Sequence, residues 1–317
     1  MLSLTVRTAG PSTTVQDRGR IGWGHLGVPR SGALDLPALV RANTLVGNVP
    51  FAAALEVTLG GLVVVFEADV VVALTGARCP LSVDGVPAGH GVAVGVPAGA
   101  ALRVDAARVG VRAYLAVAGG IAVEPVLGSR STDTLSGLGP RRLRDGDRLP
   151  LGCSTAAPGD LPAVGAAGDV GGLGWAAAGE LDLAGVAAGY AARSVAEPAI
   201  PAEPVLRVHP GPREDWFEPA AIEALYATPW TVTSESDRVG ARLDGPALPR
   251  AITDELPSEG MVAGALQVPP SGPVLFLADH PVTGGYPVIG VVDPDDLWLA
   301  AQAPPGSTVH LRRADLT

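Results

Sequence analysis

The chain contains no lysine: all 22 of its basic residues are arginine. Without a lysine amine there is no phosphate-loop lysine, no Schiff base and no attachment point for biotin on this chain. A phosphate would have to be met by arginine, backbone N–H groups or helix amino termini. If ATP is used, a partner is therefore expected to supply much of its binding site. Two cysteines, Cys79 and Cys153, are too few for a disulfide framework or a four-thiolate metal site. His25, His90, His209 and His310 have no metal-ligand spacing, so no metal is expected. Apolar runs fall short of the roughly 20 residues that cross a bilayer. The first residues show neither a basic nor an apolar leader pattern, and a cytoplasmic protein is expected. A formal charge of −10, with no basic run to offset it, argues against nucleic-acid binding.

Aromatics make up only 4% of the chain, so its cores must be packed with valine, leucine and alanine. What is abundant is turn-forming residue, 42 glycines and 30 prolines, set between short valine-rich runs. That pattern predicts a mostly β protein with a few helices. At 317 residues, more than one core is expected. Strands are predicted at Leu62–Phe66, Val70–Thr75, Gly91–Val96, Ala101–Val104 and Val111–Val117, with a hairpin turn at Asp84-Gly85. A helix is predicted from Asp35 to Val46, capped by Asp35, with Pro37 in its first turn. Residues 153–204, rich in Ala, Gly and Pro, read as a connection or insertion between an amino-terminal unit, 1–152, and a carboxy-terminal unit, 205–317. That second unit starts a fresh set of strands, the last at Thr308–Arg312, with a final short helix opened by Asp293-Pro294 and running through Gln302.

Polar residues gather in four glycine-rich places. Gln16, Asp17, Arg18 and Arg20, followed by Ser31, Asp35, Asn43 and Asn48, could bind a carboxylate or phosphate, or could form a solvated turn held by Asp–Arg pairing. Ser129, Arg130, Ser131, Thr132 and Asp133 could form an anion nest or an ordinary Ser/Thr turn. Asp237 and Arg238, with Arg242, Ser258, Glu259 and Gln267, offer carboxylates for acid–base work if one is buried enough. Arg238 and Arg242 lie four apart in a strand-like context and are expected to share a face. Asp279-His280-Pro281, then Thr283 and Tyr286, follows a buried-looking strand; His280 could shuttle a proton or be structural.

These stretches carry a resemblance. TVQDRGR (14–20), GVPRSGALD (27–35), ANTLVGN (42–48), LEVTLGG (55–61), LGSRSTD (127–133), SDRVGARLDG (236–245), SEGMVAGALQVPPSGPVLFLAD (258–279) and TGGYPVIGVV (283–292) resemble the family known as the 5-oxoprolinase C subunit, the KipA antagonist and allophanate hydrolase subunit 2. The resemblance runs through nearly the whole chain in order, leaving only about 153–204 unmatched. It implies two cyclophilin-like β-barrel lobes. It also implies a KipI-like or subunit-1 partner with a composite cleft, and leaves room for a third, lactam-cleaving subunit. ATP, with Mg, would then be bound jointly with or by a partner, with no covalent biotin here, and the chain would be inactive alone. Alternatives are a carboxyltransferase-type subunit of a biotin-dependent urea or allophanate system and a non-enzymatic antagonist that binds a kinase inhibitor. The motif positions carried over are Gln16, Asp17, Arg20, Ser31, Asp35, Asn43, Asn48, Glu56, Arg130, Ser131, Asp237, Arg238, Ser258, Glu259, Gln267, Asp279, Thr283 and Tyr286. Asp237, Glu259 and Asp279 are the catalytic candidates. Arg130 and Arg238 would hold phosphate or carboxylate, and Gln267 and Asn43 would bind an amide.

Overall fold

The protein is described by a computed structural model covering residues 2–153 and 197–314. Most of the connection expected over 153–204 lies outside these residues. The amino-terminal half is built from two antiparallel sheets. One has six strands in the order Arg148–Pro150, Ser3–Ala9, Leu62–Phe66, Ala101–Val104, Leu81–Val83 and Val86–Ala88. The other has five, Ser12–Gln16, Ala54–Thr58, Arg112–Val117, Val70–Gly76 and Ala93–Val96. Leu55, Val57, Val64, Phe66, Leu74, Leu102 and Leu115 share the core between them. The Asp84-Gly85 turn has positive φ at both positions, 48° and 81°, as a tight hairpin requires.

The five-stranded sheet is covered on its second face as well. Helix α1, Leu36–Leu45, begins at Asp35, whose carboxylate accepts from the Ala38 N–H at 2.9 Å. Its Ala38, Leu39 and Ala42 lie on Ala54, Ala73 and Ala116, where small side chains let the helix approach the sheet closely. Strand periodicity then decides where the polar groups go. Leu55 and Val57 point into the core, so Glu56 points out of it, on the face that also carries Tyr114. All six residues of Arg112–Val117 are buried.

The carboxy-terminal half closes into a seven-stranded barrel in the order Val205–Pro210, Val288–Val292, Ala265–Gln267, Val274–Phe276, Gly240–Asp244, Trp230–Val232 and Thr308–Arg313. The last strand returns to the first in parallel register. Leu206, Val208, Trp230, Leu266, Leu275 and Ile289 fill it. Trp230 is fully buried and donates its indole N–H to the Leu225 carbonyl of helix α2, Pro219–Ala227, at 3.0 Å. Its ring leaves room only for hydrogen at Gly245, where a Cβ would sit 2.5 Å from the indole.

The halves interlock. Leu34, just before α1, belongs to the core of the carboxy-terminal barrel. Gln302, the last residue of helix α3, Leu297–Gln302, reaches back and accepts from the Val111 and Arg112 N–H groups at 2.9 and 3.0 Å. Its amide N–H groups donate to Asp35 at 2.7 Å and the Arg112 carbonyl at 2.8 Å.

The mostly β character and the strands and helices read from the sequence are present, with three differences. The polar stretch from Gln16, which could have been a solvated turn, begins inside the strand Ser12–Gln16, whose Thr13 and Val15 pair with Val57 and Leu55. The terminal helix opens as a 3-10 turn, Pro294–Asp296, before α3. Arg238 and Arg242 do not share a face: Arg238 precedes its strand and is buried, whereas Arg242 lies within the strand and is exposed.

Gly245→Ala is expected to cost about 1–3 kcal/mol by overpacking against Trp230, read as a lowered urea midpoint of the isolated chain. An unchanged midpoint would show that the indole has space to move.

Candidate functional site

Two polar assemblies emerge, one sealed at the junction of the halves and one on the barrel wall. The sealed one lies where the outer face of the five-stranded sheet meets the carboxy-terminal half. Asp279 follows the strand Val274–Phe276 and has no exposed surface. Its Oδ2 accepts from Arg238 Nε at 3.0 Å and from the Thr134 N–H and hydroxyl at 2.9 and 2.7 Å. Its Oδ1 lies 2.7 Å from the Ser31 hydroxyl and 3.1 Å from Arg238 Nη2. Arg238 Nη1 donates to Glu56, and Nη2 also reaches the Gly32 carbonyl. One guanidinium thus bridges buried carboxylates from both halves. Burial weakens its cation, but Glu56 and Asp279 outweigh that and raise its pKa. Burial likewise pushes Asp279 up, and the Arg238 charge and hydrogen bonds bring it below its usual value. Ser31 is held at φ 55°, a left-handed backbone uncommon for serine, with its N–H on the Ala278 carbonyl.

Glu56 also accepts from the Tyr114 hydroxyl at 2.7 Å, and the Tyr114 oxygen in turn accepts from the Asp35 N–H at 2.7 Å. Burial, then the neighbouring carboxylates, raises the Tyr114 pKa, so it stays a donor. Burial lowers the Arg112 pKa, partly offset by Glu56, and its guanidinium donates to the Ala301 carbonyl.

The first two sequence clusters meet beside this assembly. The Asp17 carboxylate accepts from the Ser129 and Ser131 hydroxyls, both at 2.6 Å, and from the Gly19 and Arg130 N–H groups at 2.8 and 2.7 Å. The 129–131 segment thus holds the protein's own Asp17 carboxylate with two hydroxyls and one backbone N–H. Gln16 donates to Thr14 and the Thr132 carbonyl, and Arg20 to the Val126 and Ser131 carbonyls. Asn43 and Asn48 bond to each other and to the backbone of Ala52 and Val117. Arg130 Nε donates to the Val123 carbonyl at 2.6 Å.

The expectations that Arg238 holds a ligand anion and Asn43 a ligand amide therefore change: their donors are spent inside the protein. Asp279 likewise has no solvent face for a reacting group to approach. The α1 amino terminus is occupied by the Asp35 carboxylate. The donors of Arg238 and Asn43 and the amino terminus of α1 are therefore not free for a triphosphate. Among the described residues no group of three acidic, His or Cys side chains could hold a metal.

The second assembly lies on the outer face of the barrel wall, where its apolar residues are buried. Along Val274–Phe276, Leu275 points into the barrel core, so Phe276 faces outward. It joins Met261, Ala265 and Val288 in an apolar floor, flanked by Val274 and Val291. Gln267, two residues after Ala265, shares that face and donates its amide to the Tyr286 carbonyl at 3.2 Å. Gly284 passes directly over Gln267 and Met261, where a Cβ would collide with the Gln267 amide. The short ribbon Glu259–Gly260 with Thr283–Gly284 forms the rim, and Ser258, Thr283 and Tyr286 are exposed there. Arg213, which the sequence did not single out, pairs with Glu259 and holds it below the usual carboxylate range. A carboxylate so held is a weak proton acceptor. Asp237 is exposed and caps its own turn, accepting from the Val239 and Gly240 N–H groups at 2.8 and 3.2 Å.

Residues 26–313 match the family described as carboxyltransferase domain, subdomain A and B. The chain belongs to that family. It is 39% identical to the 5-oxoprolinase C subunit of Escherichia coli K12, over 99% of this chain and 92% of that protein. The solved structure of TTHA0988 superposes with a TM-score of 0.79 at 36% identity, covering 98% of this chain. This chain spans 55% of the length of that one. The Kluyveromyces lactis urea amidolyase gives a TM-score of 0.81 at 28% identity, over 99% of this chain and 19% of that one. In both larger proteins this carboxyltransferase-type unit is joined to further chain.

The sealed assembly makes a pH prediction. Burial raises the Asp35 pKa from 3.8 to about 6, against the pull of Gln302 and the Ala38 N–H. The folded state thus holds this proton more tightly than the unfolded chain. The associated stability is complete below about pH 4 and is lost as pH rises through about 6. The loss is on the order of 3 kcal/mol at ~1.4 kcal/mol per pKa unit. Urea titrations from pH 4 to 8 should show this step in the wild type and not in Asp35→Asn. Parallel pH profiles for the two chains would contradict it.

Proposed function

We propose that the chain is one subunit of an ATP-dependent 5-oxoprolinase, inactive alone, with its barrel face and the exposed rim above it forming one wall of a cleft completed by a KipI-like partner. The observation that carries this reading is near full-length similarity to a 5-oxoprolinase C subunit, with 92% of that protein matched. The match to about half of a longer solved chain supports the partner, because the remainder of such a chain is where a second subunit would otherwise sit. Beneath that face Phe276, Met261, Ala265 and Val288 form a buried apolar layer, and Gln267 ties it to the Tyr286 carbonyl. Tyr286, Thr283 and Ser258 supply polar groups at the rim. Arg213 with Glu259 gives a charged edge near which a substrate carboxylate can be oriented. Nucleotide and Mg are assigned to the partner or the shared cleft, in keeping with the internal pairing of Arg238.

A second reading is favoured by the urea amidolyase similarity: carboxyl transfer to urea from a biotin carried elsewhere. Both readings place a small N–H-bearing amide on the same face.

In the assembled enzyme, 5-oxoproline-dependent ATP hydrolysis with glutamate release is expected, and neither from this chain by itself. Gln267→Ala should reduce kcat/KM about tenfold, the loss of roughly one neutral hydrogen bond. Turnover by the isolated chain would contradict the subunit reading. Biotin-dependent urea carboxylation by the assembly, without glutamate release, would replace it with the second.

A further inference from the structure

Residues 20–30 form a loop whose two ends are tied together, with the Arg20 N–H on the Arg30 carbonyl at 2.6 Å. Its tip puts large apolar side chains into water: Ile21 is 58% exposed and Leu26 62%. Trp23, between them, donates its indole N–H to the Leu127 carbonyl at 3.1 Å. Leu127 is itself 37% exposed and shares a two-residue turn with Gly128. Both have positive φ, 53° and 80°, and mutual Val126–Ser129 hydrogen bonds close the turn. Asn or Gly takes the first of these positions at lower cost than leucine. An exposed leucine there serves neither the turn nor a core. Arg20, buried beneath, fixes the parts of this surface. It donates to the Val126 and Ser131 carbonyls and lies where a Cβ on Gly139 would collide with it. Leu135, 48% exposed, stands on the stretch between Ser131 and Gly139. It follows Thr134, which binds Asp279 at the junction of the two halves. The exposed apolar side chains thus sit on pinned loops beside that junction.

We infer that this loop surface, formed by Ile21, Trp23, Leu26, Leu127 and Leu135, docks a partner protein whose matching face is apolar at its centre and acidic at its edge. Large apolar side chains held exposed on an ordered surface mark an association site. The charges beside them set the sign of the partner. The exposed formal charges of residues 18–30 are Arg18 and Arg30 alone, on a chain whose net charge is −10. The two stand together, because Gly19 lies against the Arg30 carbonyl and Gly32 against the Arg18 backbone. A second copy of this chain, joined about a two-fold axis, would bring two basic edges together. An acidic edge on a different protein is steered to them and meets them favourably. A polypeptide occupant is further supported by TTHA0988, in which the same unit makes up 55% of a longer chain. The inference rests on the functional reading above only for the identity of the partner, the KipI-like subunit.

The test is the affinity of the purified chain for the purified KipI-like subunit, measured by titration calorimetry. Ile21→Asp combined with Leu26→Asp places two charges on the exposed tip. It should raise Kd at least about 30-fold, with the thermal midpoint of the isolated chain little changed. Arg18→Glu combined with Arg30→Glu should weaken binding about tenfold at low salt and much less at high salt, a dependence that loss of structure would not give. A complex whose Kd is unchanged by the Ile21→Asp, Leu26→Asp pair would overturn the inference and leave the subunit reading standing. A complex that weakens as stated, in an assembly that releases no glutamate from 5-oxoproline, would overturn the subunit reading and leave the docking site standing. Failure of the wild type to form any complex would overturn the inference. Self-association, or binding to phosphatidylglycerol vesicles, that the same pair abolishes would then name the occupant instead.

Discussion

Two carboxylates that cannot reach water, Glu56 from one half and Asp279 from the other, share a single guanidinium, that of Arg238. Charges taken out of water are costly, and removing one partner of such a group leaves the others uncompensated. The two halves therefore keep one relative position in which all three groups are satisfied. Ser31, Thr134, Tyr114 and the Gly32 carbonyl take up the remaining hydrogen-bonding capacity. Gln302 and Leu34 extend the junction on either side, one by hydrogen bonds and one by apolar contact.

The barrel face inherits its order from that junction. The turn after the strand Val274–Phe276 carries Asp279 into the sealed assembly, and the next residue is His280, laid on Phe276. The same strand gives Leu275 to the barrel core and Phe276 to the floor, so barrel packing and site geometry are set by one alternation. A rigid scaffold bearing a few polar groups at its edge is the arrangement in which a small ligand can be oriented.

Much of the fold was legible because alternation and turn chemistry are local: the Asp84-Gly85 hairpin, the Asp35 cap and the valine-rich strands fall where the sequence put them. The polar clusters were legible as places but not as roles. Whether Asp17 faces solvent or lies in a nest made by Ser129, Arg130 and Ser131 depends on a contact more than a hundred residues away in sequence, which no local pattern reports. Arg112, Tyr114 and Gln302 went unnoticed because they sit among apolar neighbours. A polar side chain within a run as apolar as Arg112–Val117 was the available signal. Arg213 had no signal at all, being paired with Glu259 only through tertiary structure.

The central claim is that Arg238 joins the halves into one cooperative unit, and calorimetric unfolding of the isolated chain with Arg238→Met tests it most directly. The wild type should unfold in one transition. The variant, left with Glu56 and Asp279 buried and unpaired, should lose about 3–5 kcal/mol or separate into two transitions as the halves come apart. A variant that melts in a single transition at the wild-type temperature would contradict the account.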